Sequence, residues 1–120
     1  MILLRTLFSA AMMTMIVMTV SPGGAEAGEH KIVIHHMELQ EIDGTLRVGD
    51  KVIFENQSDM AHNLYVTYDD GTMDNLDTQF PGMQRSVILR KAGPAVVRCW
   101  IHPIIKAEVE IMEATEPNAP

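Results

Sequence analysis

The sequence predicts an all-β domain, an antiparallel sandwich or barrel, that follows an N-terminal secretory signal. Short apolar runs rich in β-branched residues recur every 8 to 12 residues or so, with Gly, Asp and Pro turns between them. The last run, 106–111, alternates strictly between apolar and charged residues, which is the pattern of a half-buried strand. No segment after the signal shows a convincing helical period, so strands must supply both layers of the core.

The N-terminal 27 residues have the charged, apolar and small-residue plan of a secretory signal. Arg5 precedes the uncharged apolar run 7–20, and a Ser-Pro-Gly-Gly break precedes Ala25-Glu26-Ala27. A membrane anchor is the alternative, but the run is shorter than the roughly 20 residues that a spanning helix needs. We therefore expect cleavage after Ala27 and a periplasmic or secreted protein without a membrane attachment.

The first half of the mature chain contains four predicted strands. Segment 31–37 is rich in β-branched residues, and 45–48 follows the turn pair Asp43-Gly44. Segment 51–56 has a buried Val-Ile-Phe centre, and 62–68 places Leu, Val and Tyr on one face before an Asp-Asp-Gly turn. These segments supply the first strands of the sandwich.

The second half begins with 72–82, a polar stretch that predicts a loop or short irregular structure. Strands are then predicted at 85–90, 95–101 and 106–111, and 113–120 is a polar tail. The mature chain, 28–120, is long enough for one small domain and too short for two.

Composition excludes several partners. Loss of Arg5 and Glu26 with the signal leaves the net charge of −7 unchanged, so nucleic acid and anionic membrane surfaces would repel the protein. The single cysteine cannot form an internal disulfide, and a lone exported thiol is oxidised unless it is buried or occupied. No catalytic carboxylate pair, nucleophile triad or phosphate loop is present, so we do not expect an enzyme. We also expect the protein to be a monomer.

Three side chains are candidate metal ligands. Cys99 and His102 are three residues apart and Pro103 follows them, while His62 begins an upstream predicted strand. Strand ends can gather such residues at one pole of a sandwich, where neighbouring strands hold them rigidly. Two imidazole nitrogens and one thiolate are the ligand set that a blue copper ion takes.

Three motifs together resemble the cupredoxins, most closely the amicyanin and plastocyanin branch. They are Val48-Gly49-Asp50-Lys51-Val52-Ile53-Phe54-Glu55-Asn56, Ala61-His62-Asn63 and Cys99-Trp100-Ile101-His102-Pro103. The resemblance implies a Greek-key β-sandwich with one copper bound by His62, Cys99 and His102. It also implies that Asn63 ties the two ligand loops together, and that the protein is a one-electron carrier between redox partners.

Two positions depart from the family pattern. Trp100 follows the cysteine where a hydroxyl side chain is common, so the link to Asn63 would use backbone groups or be weaker. Ile105 stands where amicyanin spacing places the axial methionine, and it has no donor atom, so the reduction potential should rise. The Ala61 carbonyl is one possible axial group, and Met60 and Met83 are remoter substitutes.

The resemblance also predicts where partners dock. It places His102 at the surface within an apolar ring, for which the candidates are Pro103, Ile104, Met60 and Pro81. An acidic loop can attract a positively charged face of a redox partner, although a merely solvated loop is an equal alternative. The acidic residues of this loop are Asp69, Asp70, Asp74 and Asp77.

Other residues offer weaker hypotheses. Cleavage after Ala27 creates the terminus Gly28-Glu29-His30, a possible second copper site of square-planar geometry, although a chance histidine in a disordered end is favoured. Adjacent His35 and His36 should point to opposite faces of a strand. Trp100 is expected to pack against its loop rather than relay electrons. A copper carrier or storage protein, and a metal-free binding domain, remain alternative functions.

Overall fold

The computed structural model of the protein describes residues 27–115. These residues form nine strands and no helix, so within this range no helix is long and apolar enough to span a membrane. The strands are β1 (Glu29–His35), β2 (Glu38–Leu39), β3 (Leu46–Arg47), β4 (Lys51–Asn56), β5 (His62–Tyr68), β6 (Met73–Gln79), β7 (Gln84–Ile88), β8 (Gly93–Cys99) and β9 (Lys106–Met112). The predicted signal, apart from Ala27, and the last five residues of the predicted tail lie outside the described residues.

Between residues 27 and 115 the strands form two sheets that enclose one core. One sheet has the order β2-β1-β4-β7 and the other has the order β3-β9-β8-β5-β6. The pairings are antiparallel except for β1 with β4 and β3 with β9, which are parallel. The predicted all-β sandwich is therefore confirmed, with two parallel pairings that a purely antiparallel scheme lacks.

The alternation of buried and exposed residues along β5 and β8 places polar residues in buried positions at one end of the sandwich. Alternate residues of β5 face inward, so His62 is buried in the same row as Leu64 and Val66. On β8 the same period buries Cys99 beyond Val97. A histidine and a cysteine thus occupy core positions at the ends of two neighbouring strands.

The loop predicted at 72–82 is wrong, because Met73–Gln79 is strand β6. Asn63 pairs with Thr78 and Tyr65 pairs with Asn75, so two β6 residues, Leu76 and Asp77, lie opposite the single β5 residue Leu64. This bulge contains Asp77, whose φ of 63° is left-handed. It spaces the buried residues Leu76 and Gln79 three apart rather than two, which removed the alternation that predicts a strand.

The first strand also begins and ends earlier than predicted. It ends at His35, and His36 lies in the following turn with a φ of 50°. The expectation that His35 and His36 are neighbours on one strand is therefore wrong. At the other end, Glu29 and His30 pair with Lys51 and Val52 of β4 instead of forming a frayed terminus.

The turn before β4 buries a carboxylate. Gly49 has a φ of 94°, a conformation that suits glycine, and it brings Asp50 beneath the start of β1. The Asp50 oxygens accept hydrogen bonds from Gly28 N (2.7 Å) and Arg47 N (3.0 Å), and Oδ2 lies 2.8 Å from His30 Nε2. Burial alone would raise the pKa of Asp50, but these hydrogen bonds outweigh it and lower the pKa.

These contacts bear on the proposed copper site at Gly28-Glu29-His30. Both its terminal nitrogen and its imidazole already contact Asp50. A square-planar copper site there would have to break these contacts and the first β1–β4 pairs. The second site stays a prediction.

Candidate metal centre

The pairing of β5 with β8 brings the first two candidate ligands together. β5 begins at His62, β8 ends at Cys99, and Leu64 is the register partner of Cys99. The His62 side chain has 0% exposure and Cys99 has 2%. Two adjacent strands of one sheet therefore fix both side chains at the same pole of the sandwich.

The third candidate comes from the loop between β8 and β9. His102 is partly exposed, and Ile105 N donates to the His102 carbonyl at 3.0 Å, which closes a turn around it. The rings of His62 and His102 have centroids 5.0 Å apart and are tilted by 59°. The loop thus folds the second imidazole over the end of the strand pair.

The three donor atoms converge. Cys99 Sγ lies 3.9 Å from His62 Nδ1 and 4.0 Å from His102 Nδ1. All the ligand atoms of the cluster lie within 4.8 Å of one another. These separations exceed an ordinary hydrogen bond and leave room for one ion between the atoms. One thiol and two imidazoles in this arrangement match the donor set of a blue copper site, so the residues fit that metal.

The environment of His62 favours the neutral imidazole that a metal needs. Burial lowers the pKa of His62 most, and the nearby charge of His102 lowers it further. A hydrogen bond with the backbone of His36 opposes the shift but does not cancel it. The buried ring is consequently poised as a ligand rather than as an imidazolium.

Backbone groups connect the two segments that carry the candidate ligands. Asn63 N donates to Cys99 Sγ at 3.4 Å, and Trp100 N donates to the Asn63 carbonyl at 2.9 Å. The side chain of Trp100 takes no part in this connection. The sequence analysis expected the link to Asn63 to use backbone groups or to be weaker, and the structure contains the backbone link.

Two residues that the sequence analysis did not select support the back of the His62 ring. Ser58 Oγ lies 2.9 Å from His62 Nε2, and it donates to Asn56 Oδ1 at 2.6 Å. Both residues are buried. Asn56 continues the inward row of Val52 and Phe54 on β4, and a polar residue in such a row was the signal that could have identified it.

The chain is similar in sequence to proteins named for methylamine utilization. Methylamine utilization protein MauL of Methylorubrum extorquens is 48% identical to the chain over 87 residues, which are 72% of this chain and 76% of that protein. The chain belongs to the MauL family. MauL of Methylophilus methylotrophus is 39% identical over 90 residues, 73% of this chain and 52% of that protein. MauL of Methylobacillus flagellatus is 33% identical over 89 residues, 68% of this chain and 57% of that protein.

The chain therefore spans little more than half the length of the last two relatives. No protein-family model matches it. Among solved structures, amicyanin from Paracoccus versutus has a TM-score of 0.59 at 19% identity, covering 74% of this chain and 84% of that chain. The Cu(I) form of an amicyanin mutant has a TM-score of 0.60 at 18% identity, covering 76% and 89%. This MauL-family chain thus has the cupredoxin fold.

The residue that the sequence predicts at the axial position is buried and apolar. Ile105 has 1% exposure and packs in the core. Met83 Sδ accepts a hydrogen bond from Phe80 N at 3.3 Å, so its thioether is engaged in a turn. The Met60 carbonyl accepts from Asn56 Nδ2 at 2.8 Å. An axial role for Ala61, Met60 or Met83 stays a prediction.

The structure corrects the environment expected for Trp100. Its side chain is 53% exposed and stacks on Tyr65 of β5, with centroids 4.0 Å apart and planes 18° apart. Its Nε1–H donates to Asn75 Oδ1 at 3.0 Å. Trp100 therefore packs on the outer face of the sheet rather than within its own loop. The strand register places Tyr65 opposite Arg98, close to the end of β8, so the Trp100 ring just beyond that end can stack on Tyr65.

Two of the four acidic residues predicted on one loop, Asp74 and Asp77, lie on strand β6 instead. Two basic side chains partly neutralise this acidic group. Asp74 pairs with Arg90 at 2.9 Å, and Asp70 pairs with Lys91. Hydrogen bonds from Lys91 lower the pKa of Asp70. Burial and a hydrogen bond to Asp74 raise the pKa of Tyr68 to about 12. These ion pairs reduce the negative potential that a positively charged partner would meet.

Proposed function

We propose that this protein is an exported one-electron carrier with a type 1 copper centre, and that it acts in methylamine utilization. The observation that carries the proposal is the convergence of His62 Nδ1, Cys99 Sγ and His102 Nδ1 at the pole of a cupredoxin fold. The similarity to proteins named for methylamine utilization supports the assignment of this process. In this proposal the three side chains bind one copper ion, and the protein acts as a monomer in the periplasm.

Copper supplies a reversible one-electron change between Cu(I) and Cu(II). The chain contributes a rigid set of donors, because His62 and Cys99 are buried at the ends of paired strands. A site held in this way changes little in shape when its charge changes, which favours rapid electron exchange.

The proposed docking surface for a redox partner surrounds His102. This residue is the partly exposed member of the cluster, and neighbouring Ile101 and Ile104 have exposed side chains, Ile104 at 76%. An apolar surface over an exposed ligand edge suits a brief encounter with another redox protein. A carrier is favoured over an enzyme because burial of His62 and Cys99 leaves little of the centre open to a substrate.

The apolar axial position is part of the proposal. With Ile105 in the place of a sulfur donor, the oxidised ion is less stabilised, so we expect a higher potential than in methionine-ligated relatives. The same apolar residue favours a second candidate function, a copper carrier or storage protein in which redox tuning is unimportant. Reversible voltammetry separates the two, because a carrier of electrons exchanges them rapidly with the electrode.

The experiment is addition of Cu(II) to the purified exported protein, followed by visible spectroscopy and voltammetry. We expect an intense blue band that Cys99→Ser removes, together with a reversible one-electron wave. His35→Ala is the matched control, because this exposed histidine lies outside the cluster and should leave the band unchanged. A colourless product would exclude the electron carrier, and a blue product without a reversible wave would favour the copper carrier.

A further inference from the structure

A buried chain of hydrogen bonds runs from the end of β4 to the back of the His62 ring. Ser58 Oγ lies 2.9 Å from His62 Nε2 and 2.6 Å from Asn56 Oδ1. The opposite ring nitrogen, Nδ1, faces Cys99 Sγ at 3.9 Å. The positions of the hydrogens along this chain decide which ring nitrogen has a free lone pair.

The orientation of the Asn56 amide follows from its neighbours. Its Nδ2 lies 2.8 Å from the Met60 carbonyl and 3.0 Å from the Gln79 carbonyl, and both of these oxygens only accept hydrogen bonds. Its Oδ1 accepts the Ser58 N–H at 3.0 Å. The amide therefore presents an oxygen, not an NH₂ group, to the Ser58 hydroxyl.

The Ser58 hydroxyl has one hydrogen to donate. Two acceptors lie within reach, Asn56 Oδ1 at 2.6 Å and the Met60 carbonyl at 3.0 Å. Neither can donate in return, so the hydroxyl hydrogen goes to one of them, and the shorter contact favours Asn56. The Met60 N–H, at 3.4 Å, approaches the hydroxyl oxygen as a donor. The hydroxyl can then only accept from His62.

We infer that Asn56 and Ser58 fix His62 as the Nε2–H tautomer and thereby direct the Nδ1 lone pair at Cys99. An N–H at Nδ1 would instead place a hydrogen where the metal must bind. Asn56 and Ser58 are thus positioning residues, and their purpose rests on the proposed copper function. The tautomer itself is a property of the metal-free protein, so it can be tested without copper.

The consequence for metal binding is measurable. When the hydrogen-bond partner of a ligating histidine is removed, metal affinity commonly falls by about 10- to 100-fold. We expect a loss of this size for Ser58→Ala, measured by competition with a Cu(I) chelator. Ser58→Thr keeps the hydroxyl and should restore most of the affinity. Ser86→Ala, an exposed serine on β7, is the matched control.

The decisive experiment is nitrogen-15 NMR of the His62 ring in the metal-free protein. We expect Nε2–H alone in the wild type and in Ser58→Thr. In Ser58→Ala, where the backbone of His36 is the remaining hydrogen-bond partner of the ring, we expect a mixture with Nδ1–H. Wild-type His62 in the Nδ1–H form overturns the inference, and this result needs no variant to fold. Unchanged Nε2–H in Ser58→Ala, with copper affinity within about twofold of wild type, overturns it as well.

Failure of the proposed function gives a different result. A wild-type protein with the expected tautomer pattern that binds no copper would exclude both the proposed one-electron carrier and the copper carrier. The hydrogen-bond assignment of Asn56 and Ser58 would still hold in that case.

Discussion

Two polar clusters lie near opposite ends of strand β4. They differ in whether the acceptor atoms of their side chains are already hydrogen-bonded within the protein. At the start, both carboxylate oxygens of Asp50 accept hydrogen bonds from groups of the chain itself. Beyond the other end, the sulfur of Cys99 and two imidazole nitrogens face one another. The first cluster is internally satisfied and joins β1 to β4. The second cluster would be completed by the proposed copper ion, so in this proposal its polar groups serve function rather than stability.

The largest effect is expected from a substitution that disrupts only the second cluster. Cys99→Ala removes the thiolate, so we expect loss of specific copper binding in a calorimetric titration. The metal-free domain should lose only about 1 kcal/mol of unfolding free energy, since the substitution removes one small buried group. Chemical denaturation of the metal-free protein measures this. Destabilisation large enough to unfold the metal-free domain would contradict a primarily functional role for Cys99.

The next effect concerns the first cluster. In Asp50→Asn, one carboxylate oxygen becomes an NH₂ group, which cannot accept a hydrogen bond from a backbone N–H. The other oxygen remains an acceptor but loses its charge. We expect a loss of about 1.5–3 kcal/mol in unfolding free energy, the range for hydrogen bonds to charged groups. Copper affinity of the folded variant should match the wild type. Asp69→Asn, on an exposed loop, is the control.

The same variant gives a dependence on pH. The folded protein lowers the pKa of Asp50 below its ordinary value of 3.8, so this carboxylate stabilises the fold fully above that value. Its contribution falls as the pH drops through the folded pKa. The stability difference between wild type and Asp50→Asn should therefore narrow below about pH 4. A constant difference down to pH 2 or so would show that charge is not the cause.

The smallest effect tests a residue beside the metal cluster but outside it. Trp100→Ala removes the stack on Tyr65, an interaction worth about 0.5–1.5 kcal/mol beyond its buried area. We expect a modest fall in melting temperature and an unchanged visible spectrum of the copper form. Tyr65→Phe keeps the stack and should behave as the wild type. Loss of the blue band in Trp100→Ala would extend the functional cluster to this side chain.

Much of this organisation could be predicted from the chain alone. The candidate ligands His62, Cys99 and His102 follow from residue types placed at strand ends, and the sandwich follows from alternation. The bulge at Asp77 could not be predicted, because it breaks the period on which strand prediction depends. The contacts of Ser58 with Asn56 and His62 span only two and four residues of sequence. They depend on the conformation of the connection between β4 and β5, which no periodic pattern of residue types specifies.

The position of the N-terminal segment also could not be predicted from the sequence. Gly28-Glu29-His30 looked like a free end, but parallel pairing with β4 and the buried carboxylate of Asp50 hold it. A parallel partner is set by long-range topology rather than by a turn, so no nearby signal identifies it.

X-ray absorption at the copper edge is the most direct test of the proposed copper centre. For the copper-loaded wild type, we predict one short copper–sulfur path and two copper–nitrogen paths, with the sulfur path absent in Cys99→Ser. A wild-type spectrum fitted by nitrogen and oxygen alone would contradict a centre formed by His62, Cys99 and His102.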